Sequence, residues 1–488
     1  MYITRLHLKN VKLMRDLALD FTHEGKPRMW TALVAENGAC KTTLLQAIAL
    51  AASGHDRANQ LADVPSLPDL RRPTEATEIN ASFKFGTRLD KWRRFPETKV
   101  SGENLREKDL QSSLIVKPDQ STFSGFSWFI SPSVQEPTAS NKHQFSPMDA
   151  NAFLERIKAE LVQIASRQMA SVPKGTNLKF AEELIKRLVE ETHDPIAEAR
   201  SKSFPGWFVA GYGTQRQLPV PLGTSELKDR VLNRLEPLFG KAPLVGTGFV
   251  NQFADTERFE PFREALKKVL VNSHLLPHVD AFELRGKGGV LQPGDLARAH
   301  NFTFAQTKVP ATWLSQGYQS TIAWIADLIG QMYLDLGEAI AIEDMEGMVL
   351  IDELDLHLHP TWQVRLIPVL KRVFPRMQFI VTTHSPMLLP ALERHEIVML
   401  RLNENRDVVA ESPPASPKLM TGSEIYSSFF NIQKLYPNDL GDELRRYTYL
   451  SSDPTRTDAE EAEMLGLQKK LTDAGLDLGL PPVPRETS

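Results

Sequence analysis

Lys41, Thr42, Asp352, Glu353 and His384 are the residues of this chain whose types and settings could do chemistry. Met348-Val349-Leu350-Ile351 is an apolar run that ends abruptly in Asp352-Glu353, and Phe379-Ile380-Val381 ends in Thr382-Thr383-His384-Ser385. Short uninterrupted apolar runs read as buried parallel strands, whose sheets gather ligands at their carboxyl ends. The two runs therefore bring a carboxylate pair and an imidazole to one edge, which is a setting for phosphate and metal chemistry. There Asp352 orients Mg²⁺ through its water shell, and Glu353 activates an attacking water. His384 would hold a γ-phosphate or that water in place. Strand-end acids are often only helix caps, but two in a row before Leu354-Asp355-Leu356-His357-Leu358-His359-Pro360 argue for more. His357 and His359 have no third ligand at a zinc spacing.

A phosphate-binding loop reads G-x-x-x-x-G-K-[ST]; its amides wrap phosphate oxygens, its Lys reaches the β- and γ-phosphates and its hydroxyl meets Mg²⁺. The matching positions are Ala35-Glu36-Asn37-Gly38-Ala39-Cys40-Lys41-Thr42, followed by Thr43. Lys41, Thr42 and Gly38 fit, whereas Ala35 and Cys40 replace both outer glycines. Ala35 costs little if its φ is negative, and Cys40 puts a Cβ and a sulfur beside Lys41. Leu314-Ser315-Gln316-Gly317 sets a hydroxyl and a glycine at a helix start, where exposed amides can meet an anion. The bland account of Ser315 is an N-cap. Gln215 follows a Gly-Tyr-Gly turn, a setting for a side chain that senses Mg²⁺ or water.

The elements that must position these groups can be read from the pattern. Strands are predicted at Ile3–Leu8, Leu17–Phe21 and Trp30–Val34, the last running through the loop into a helix at Leu44–Ala52. Residues 53–75 read as loop. Further strands are predicted at Ile79–Phe85, Leu114–Lys117 and Phe123–Ile130, then a connector over 131–147. Three- and four-residue spacing predicts helices at Asn151–Met169, Leu178–Arg200, Glu226–Phe239 and Arg258–Val271. Strands are expected at Trp207–Ala210, Ala281–Leu284, Phe302–Phe304 and Ile397–Leu402. Helices are expected after Trp313 and around Pro386–Leu392. The expected division is 1–148, an amino-terminal lobe with the loop and a β subdomain; 149–300, a helical insertion interrupted near 207–216; 301–410, a second lobe; and 411–488, a helical tail.

With 488 residues, 41% hydrophobic and 24% charged, the chain reads as a globular protein of several domains. A net charge of −4 gives no global pull on nucleic acid, so any such contact must be a local patch. Cys40 is the single cysteine, which excludes an internal disulfide and fits a reducing cytoplasm. No stretch reads as a membrane span or a secretory leader.

Taken together, these motifs resemble the ABC-class ATPase heads of the SMC/RecF family, most of all the stand-alone bacterial OLD-like and Septu PtuA-like ATPases of phage defence. The carrying residues are Ile3–Val11, Glu36–Thr43, Gly211–Arg216, Leu314–Gly317, Met348–Pro360 and Val381–Pro386, and the likeness covers about 1–55 and 205–405. It implies an α/β P-loop NTPase of the ABC/SMC-head type, with a mixed sheet, an antiparallel β subdomain and an inserted helical subdomain. It further implies a homodimer sandwiching two ATP molecules with Mg²⁺. Ser315 and Gly317 of one head would contact the γ-phosphate held by the other, and Asp355 would sit at the dimer interface. The 274 positions between Lys41 and Ser315 are too many for a compact transporter subunit.

Three functions compete. The first is a Mg²⁺-dependent ATPase that senses nucleic acid and controls a partner nuclease, such as an HNH protein, in antiviral defence. Its one local support for nucleic-acid binding is Arg88-Leu89-Asp90-Lys91-Trp92-Arg93-Arg94-Phe95. The second is a self-contained ATP-gated nuclease, against which the residues after Leu402 show no Glu-Gly plus Asp-x-Asp pattern. The third is a nucleotide-binding scaffold in which Ala35 and Cys40 permit assembly with little turnover.

Overall fold

Strands buried on both faces are mostly apolar, and four segments have no exposed position: Trp30–Ala35, Val209–Tyr212, Gly347–Ile351 and Met377–Thr383. In the computed structural model they lie side by side in a six-stranded sheet, ordered Val408–Glu411, Ile397–Leu402, Trp30–Ala35, Met377–Thr383, Gly347–Ile351, Val209–Tyr212. All neighbours are parallel except the edge strand Val408–Glu411, so the sheet is mixed. The structure describes residues 1–84, 109–130, 207–216, 229–240, 256–284, 300–336, 339–432, 438–479 and 481–484. The Arg88–Phe95 stretch, the 131–147 connector and the helices expected at Asn151–Met169 and Leu178–Arg200 lie outside them.

A second sheet of five antiparallel strands is ordered Met14–Asp20, Tyr2–Val11, Thr77–Lys84, Asp109–Val116, Ser124–Ile130. The helix Lys41–Ser53 lies between the two sheets. A helix apolar all round must be covered all round, and every residue of this one except Thr42 and Gln46 is buried. Ser112 Oγ donates to Ala51 O at 2.8 Å and Trp207 Nε1 to Ala52 O at 3.0 Å, closing its carboxyl end. Buried Gln378 locks the sheets together. Its Oε1 accepts from Ile3 N at 2.7 Å, while its Nε2 donates to Ile3 O and Arg28 O.

The helix Gln316–Leu336, buried on all sides over Ser320–Tyr333, and the helix Pro360–Val373 flank the acidic strand in sequence. A third, three-stranded antiparallel sheet joins Val279–Leu284, His300–Phe304 and Thr307–Pro310. Some local expectations need correcting. Residues 53–75 are not all loop, for His55–Leu61 is a helix burying Ala58 and Leu61. Pro386–Ala391 is 3₁₀ rather than α, since Pro390 inside it has no N–H to give. The strand expected at Trp207–Ala210 is shifted to Val209–Tyr212.

Contacts divide the chain into Met1–Pro413 and Pro414–Ser488. The second unit holds helices Gly422–Phe430, Asn438–Ser452 and Asp458–Asp473, with Tyr447, Leu450, Met464 and Leu471 in its core. Among the described residues no helix is long and apolar enough to cross a membrane.

Candidate nucleotide site

Parallel strands end together, so those closing at Ala35, Ile351, Thr383 and Tyr212 deliver their next residues to one edge of the sheet. The loop from Glu36 to Cys40 turns there into the Lys41–Ser53 helix. Gly38 has φ +85° and Cys40 φ +57°, the left-handed region that favours glycine. The cradle thus keeps its turn although Cys40 bears a Cβ. Ala35 ends an ordinary strand and needs no such freedom. Glu36, Asn37 and Thr42 are exposed while Ala39 and Lys41 are buried. Lys41 Nζ donates to the carbonyls of Ala35 (2.9 Å) and Glu36 (3.0 Å), lying along the loop. Burial lowers its pKa, and Asp352, Glu353 and Asp355 oppose that shift, so three carboxylates share its surroundings.

Thr42 and the acid pair meet directly: Thr42 Oγ1 donates to Asp352 Oδ2 at 2.7 Å. Thr382, at the end of the neighbouring strand, donates to Asp352 Oδ1 at 2.6 Å and accepts from Glu353 N at 2.7 Å. Thr383 donates to Asp355 Oδ1 at 2.5 Å. Two consecutive threonines therefore orient the three acids. Hydroxyl and carboxylate oxygens converging between Thr42 and Asp352 are the hard donors Mg²⁺ prefers, and Thr42 is the exposed residue of its helix turn. The half-buried Glu353 has φ +48°, a left-handed value for a residue with a Cβ. His384 is half-buried; desolvation first, then Lys41, lowers its pKa, with Glu353, Asp355 and Asp352 opposing. The shift favours the neutral imidazole.

The remaining residues singled out from sequence sit differently. Gln215 is exposed, and Arg216 beside it turns inward. Ser315 is exposed, while Gly317 rests against His357, four positions beyond Glu353. Among the described residues neither Ser315 nor Gly317 hydrogen-bonds the 35–43 loop. His359 caps the Pro360–Val373 helix through Thr361. Two groups escaped the sequence reading. Lys12 Nζ donates to Thr43 Oγ1 at 3.0 Å, adding a cation beside the cradle. Arg216 donates to the carbonyls of Asp352 and Glu353. A basic residue in a turn between two strands, and one after a Gly-Tyr-Gly turn, were the available signals.

Residues 239–389 match a family described as "AAA domain, putative AbiEii toxin, Type IV TA system". A Septu protein PtuA of Bacillus mycoides is 30% identical over 270 residues, covering 55% of this chain and 35% of that protein. A second PtuA, from Bacillus thuringiensis, is 40% identical over 104 residues, covering 21% and 26%. The "Retron Ec83 probable ATPase" of Escherichia coli is 44% identical over 88 residues, covering 18% and 16%. The match thus spans about a third or less of each of these relatives. Among solved structures, an Smc head bound to the carboxyl-terminal winged-helix domain of ScpA aligns at 15% identity and a TM-score of 0.43, covering 84% of this chain and 98% of that one. The SMC head domain of Thermotoga maritima aligns at 13% and 0.38, covering 84% and 99%. With its mixed sheet, strand-loop-helix phosphate cradle and adjacent acid pair, the chain has an α/β fold of P-loop ATPase type, and over the matched residues it is similar to the Septu PtuA proteins and the retron ATPase.

Proposed function

We propose that this chain is a Mg²⁺-dependent ATPase that closes as a homodimer around two ATP molecules. In this reading it controls a nucleic-acid-directed response in anti-phage defence through a partner nuclease such as an HNH protein. The observation that carries the reading is the 2.7 Å bond from Thr42 to Asp352, which joins the phosphate cradle and the acid pair in one cleft. The triphosphate would lie against the amides of Glu36–Thr43, with Lys41 turning from its carbonyl partners to the phosphate oxygens. Thr42 and Asp352, together with Gln215, would hold Mg²⁺, which when bound would neutralise charge building on the phosphates. Glu353 takes the proton of the attacking water, and neutral His384 hydrogen-bonds that water or the γ-phosphate. Ser315 and Gly317 act across the dimer, and Asp355 at its interface. The nuclease, the defence role and the nucleic acid draw on the resemblance to Septu PtuA-like ATPases, with which the matches to PtuA and retron ATPases agree, and a cytoplasmic setting draws on the single cysteine.

Mg²⁺-dependent ATP turnover by wild type, Thr42→Ala, Asp352→Asn and Glu353→Gln tests this reading. Glu353→Gln should lose at least about a hundredfold in kcat while still binding ATP. A second reading, a nucleotide-binding scaffold, is favoured by the Cβ that Cys40 carries at a left-handed position. Equal, near-zero rates for wild type and Glu353→Gln would select it. Plasmid cleavage by the purified chain alone with Mg²⁺ or Mn²⁺ would instead select a self-contained nuclease.

A further inference from the structure

Arg216 is only 4% exposed, yet its guanidinium reaches carbonyls and a hydroxyl from three separate segments. Nη1 donates to Gly213 O at 3.0 Å and to Asp352 O; Nη2 donates to Glu353 O at 2.7 Å; Nε donates to Ser320 Oγ at 3.2 Å. Ser320 lies in the Gln316–Leu336 helix, just past Ser315 and Gly317. Burying a cation is costly, and carbonyl acceptors offset that cost less well than a carboxylate in direct contact would. Burial pushes the pKa of Arg216 down to about 10, with Asp352, Asp355 and Glu353 opposing, so it stays charged at neutral pH. The place where this charge is spent is informative. Glu353 holds a left-handed backbone, φ +48°, and its peptide is gripped at both ends: its N–H donates to Thr382 Oγ1, and its carbonyl accepts from Arg216 and from Leu356 N at 3.0 Å.

We propose that Arg216 is the positioning residue for Glu353, clamping the backbone of the acid pair so that the carboxylate is held where water is activated, and tying that backbone to the helix behind Ser315. The assignment rests on the reading of Glu353 as the base. A planar fork with several fixed donors can bridge these acceptors, whereas one ammonium cannot, so lysine is a poor substitute. A purely structural arginine would lower stability, ATP affinity and turnover together. A positioning arginine lowers kcat and spares affinity.

The test uses the full chain as wild type, Arg216→Lys, Arg216→Ala and Glu353→Gln, reading ATP affinity by equilibrium dialysis and kcat separately. Arg216→Lys should keep ATP affinity within about threefold and lose about a hundredfold in kcat, the scale of a small misplacement of a reacting group. Turnover by Arg216→Ala should rise with millimolar guanidinium chloride and stay flat with equal sodium chloride. If Arg216→Ala does not fold, Arg216→Lys decides alone. Wild-type kcat in Arg216→Lys, a parallel loss of affinity and kcat, or a folded Arg216→Ala indifferent to guanidinium would each overturn the clamp. A wild-type rate in Glu353→Gln would defeat the base assignment itself, whereas a slow Glu353→Gln beside a normal Arg216→Lys defeats only the clamp.

Discussion

Gly317 lies so near His357 that a Cβ built on it would stand 2.5 Å from the His357 carbonyl oxygen. The helix that begins at Gln316 therefore packs closely against the main chain just beyond the acid pair. In an open helix, glycine to alanine stabilises by about 1 kcal/mol. Here the obstacle is main chain and cannot swing away, so Gly317→Ala should destabilise by about 1–3 kcal/mol, as overpacking does. Thermal unfolding checks the sign: a lower midpoint is expected, and an unchanged or raised one would mean the two segments are farther apart.

Cys40 adopts a glycine-like conformation at a cost of about 1–2 kcal/mol. Gly at this position relieves that strain and gives back about 0.5–1 kcal/mol through its own flexibility. Cys40→Gly should therefore shift the urea midpoint upward by a small but measurable amount and bind ATP at least as well. The thiol also stands next to Lys41, so complete alkylation of this sole cysteine should block ATP binding. Undiminished affinity after full modification would place the nucleotide elsewhere.

Trp313 is 78% exposed two residues before Ser315, a large apolar ring left in solvent beside a motif assigned to the partner's phosphate. Removing it should leave the stability of the isolated chain within about 0.5 kcal/mol, as at other surface positions. Association in ATP should weaken by about tenfold or more, since aromatic anchors dominate interfaces. Sedimentation of Trp313→Ala with and without ATP reads both, and unaltered association would exclude the ring from the contact.

Asp327 is fully buried in the helix behind Ser315, accepting from Tyr212 Oη at 3.0 Å and from Gln331 Nε2 at 3.4 Å. Burial raises its pKa to about 7, against which Tyr212, Gln331 and Arg234 act only in part. A raised folded pKa means the folded state holds the proton longer than the unfolded chain does. The associated stability is complete below the unfolded value near 4 and is lost as pH climbs to about 7. Unfolding free energies at pH 5 and pH 7.5 should show this decline in wild type, and Asp327→Asn should flatten it. Parallel curves for the two proteins would remove Asp327 as its source.

The parts of the site legible in the sequence are those made by contiguous residues. Met348–Ile351 and Phe379–Val381 announce strands because burial on both faces forbids polar alternation, and the residues after such strands are fixed to one edge. Gly38, Lys41 and Thr42 sit within one turn, so their spacing survives the loss of two glycines. The His55–Leu61 helix was hidden because its two buried residues, Ala58 and Leu61, are too few to set a period. Arg216, Thr382 and Lys12 act through bonds that close only on folding: Arg216 reaches Asp352 across 136 positions, and Thr42 reaches the same residue across 310. No local pattern records such a pairing. Their residue types were visible, their partners were not.

The most direct measurement is the mass of the Glu353→Gln protein in solution with ATP and Mg²⁺, by light scattering, beside the same protein without nucleotide. If Thr42, Asp352 and Glu353 form one ATP site that closes against a second copy, slowing hydrolysis should trap the closed pair, and the mass should double only when ATP and Mg²⁺ are both present. A mass that ignores nucleotide, with no ATP bound under the same conditions, would contradict the account.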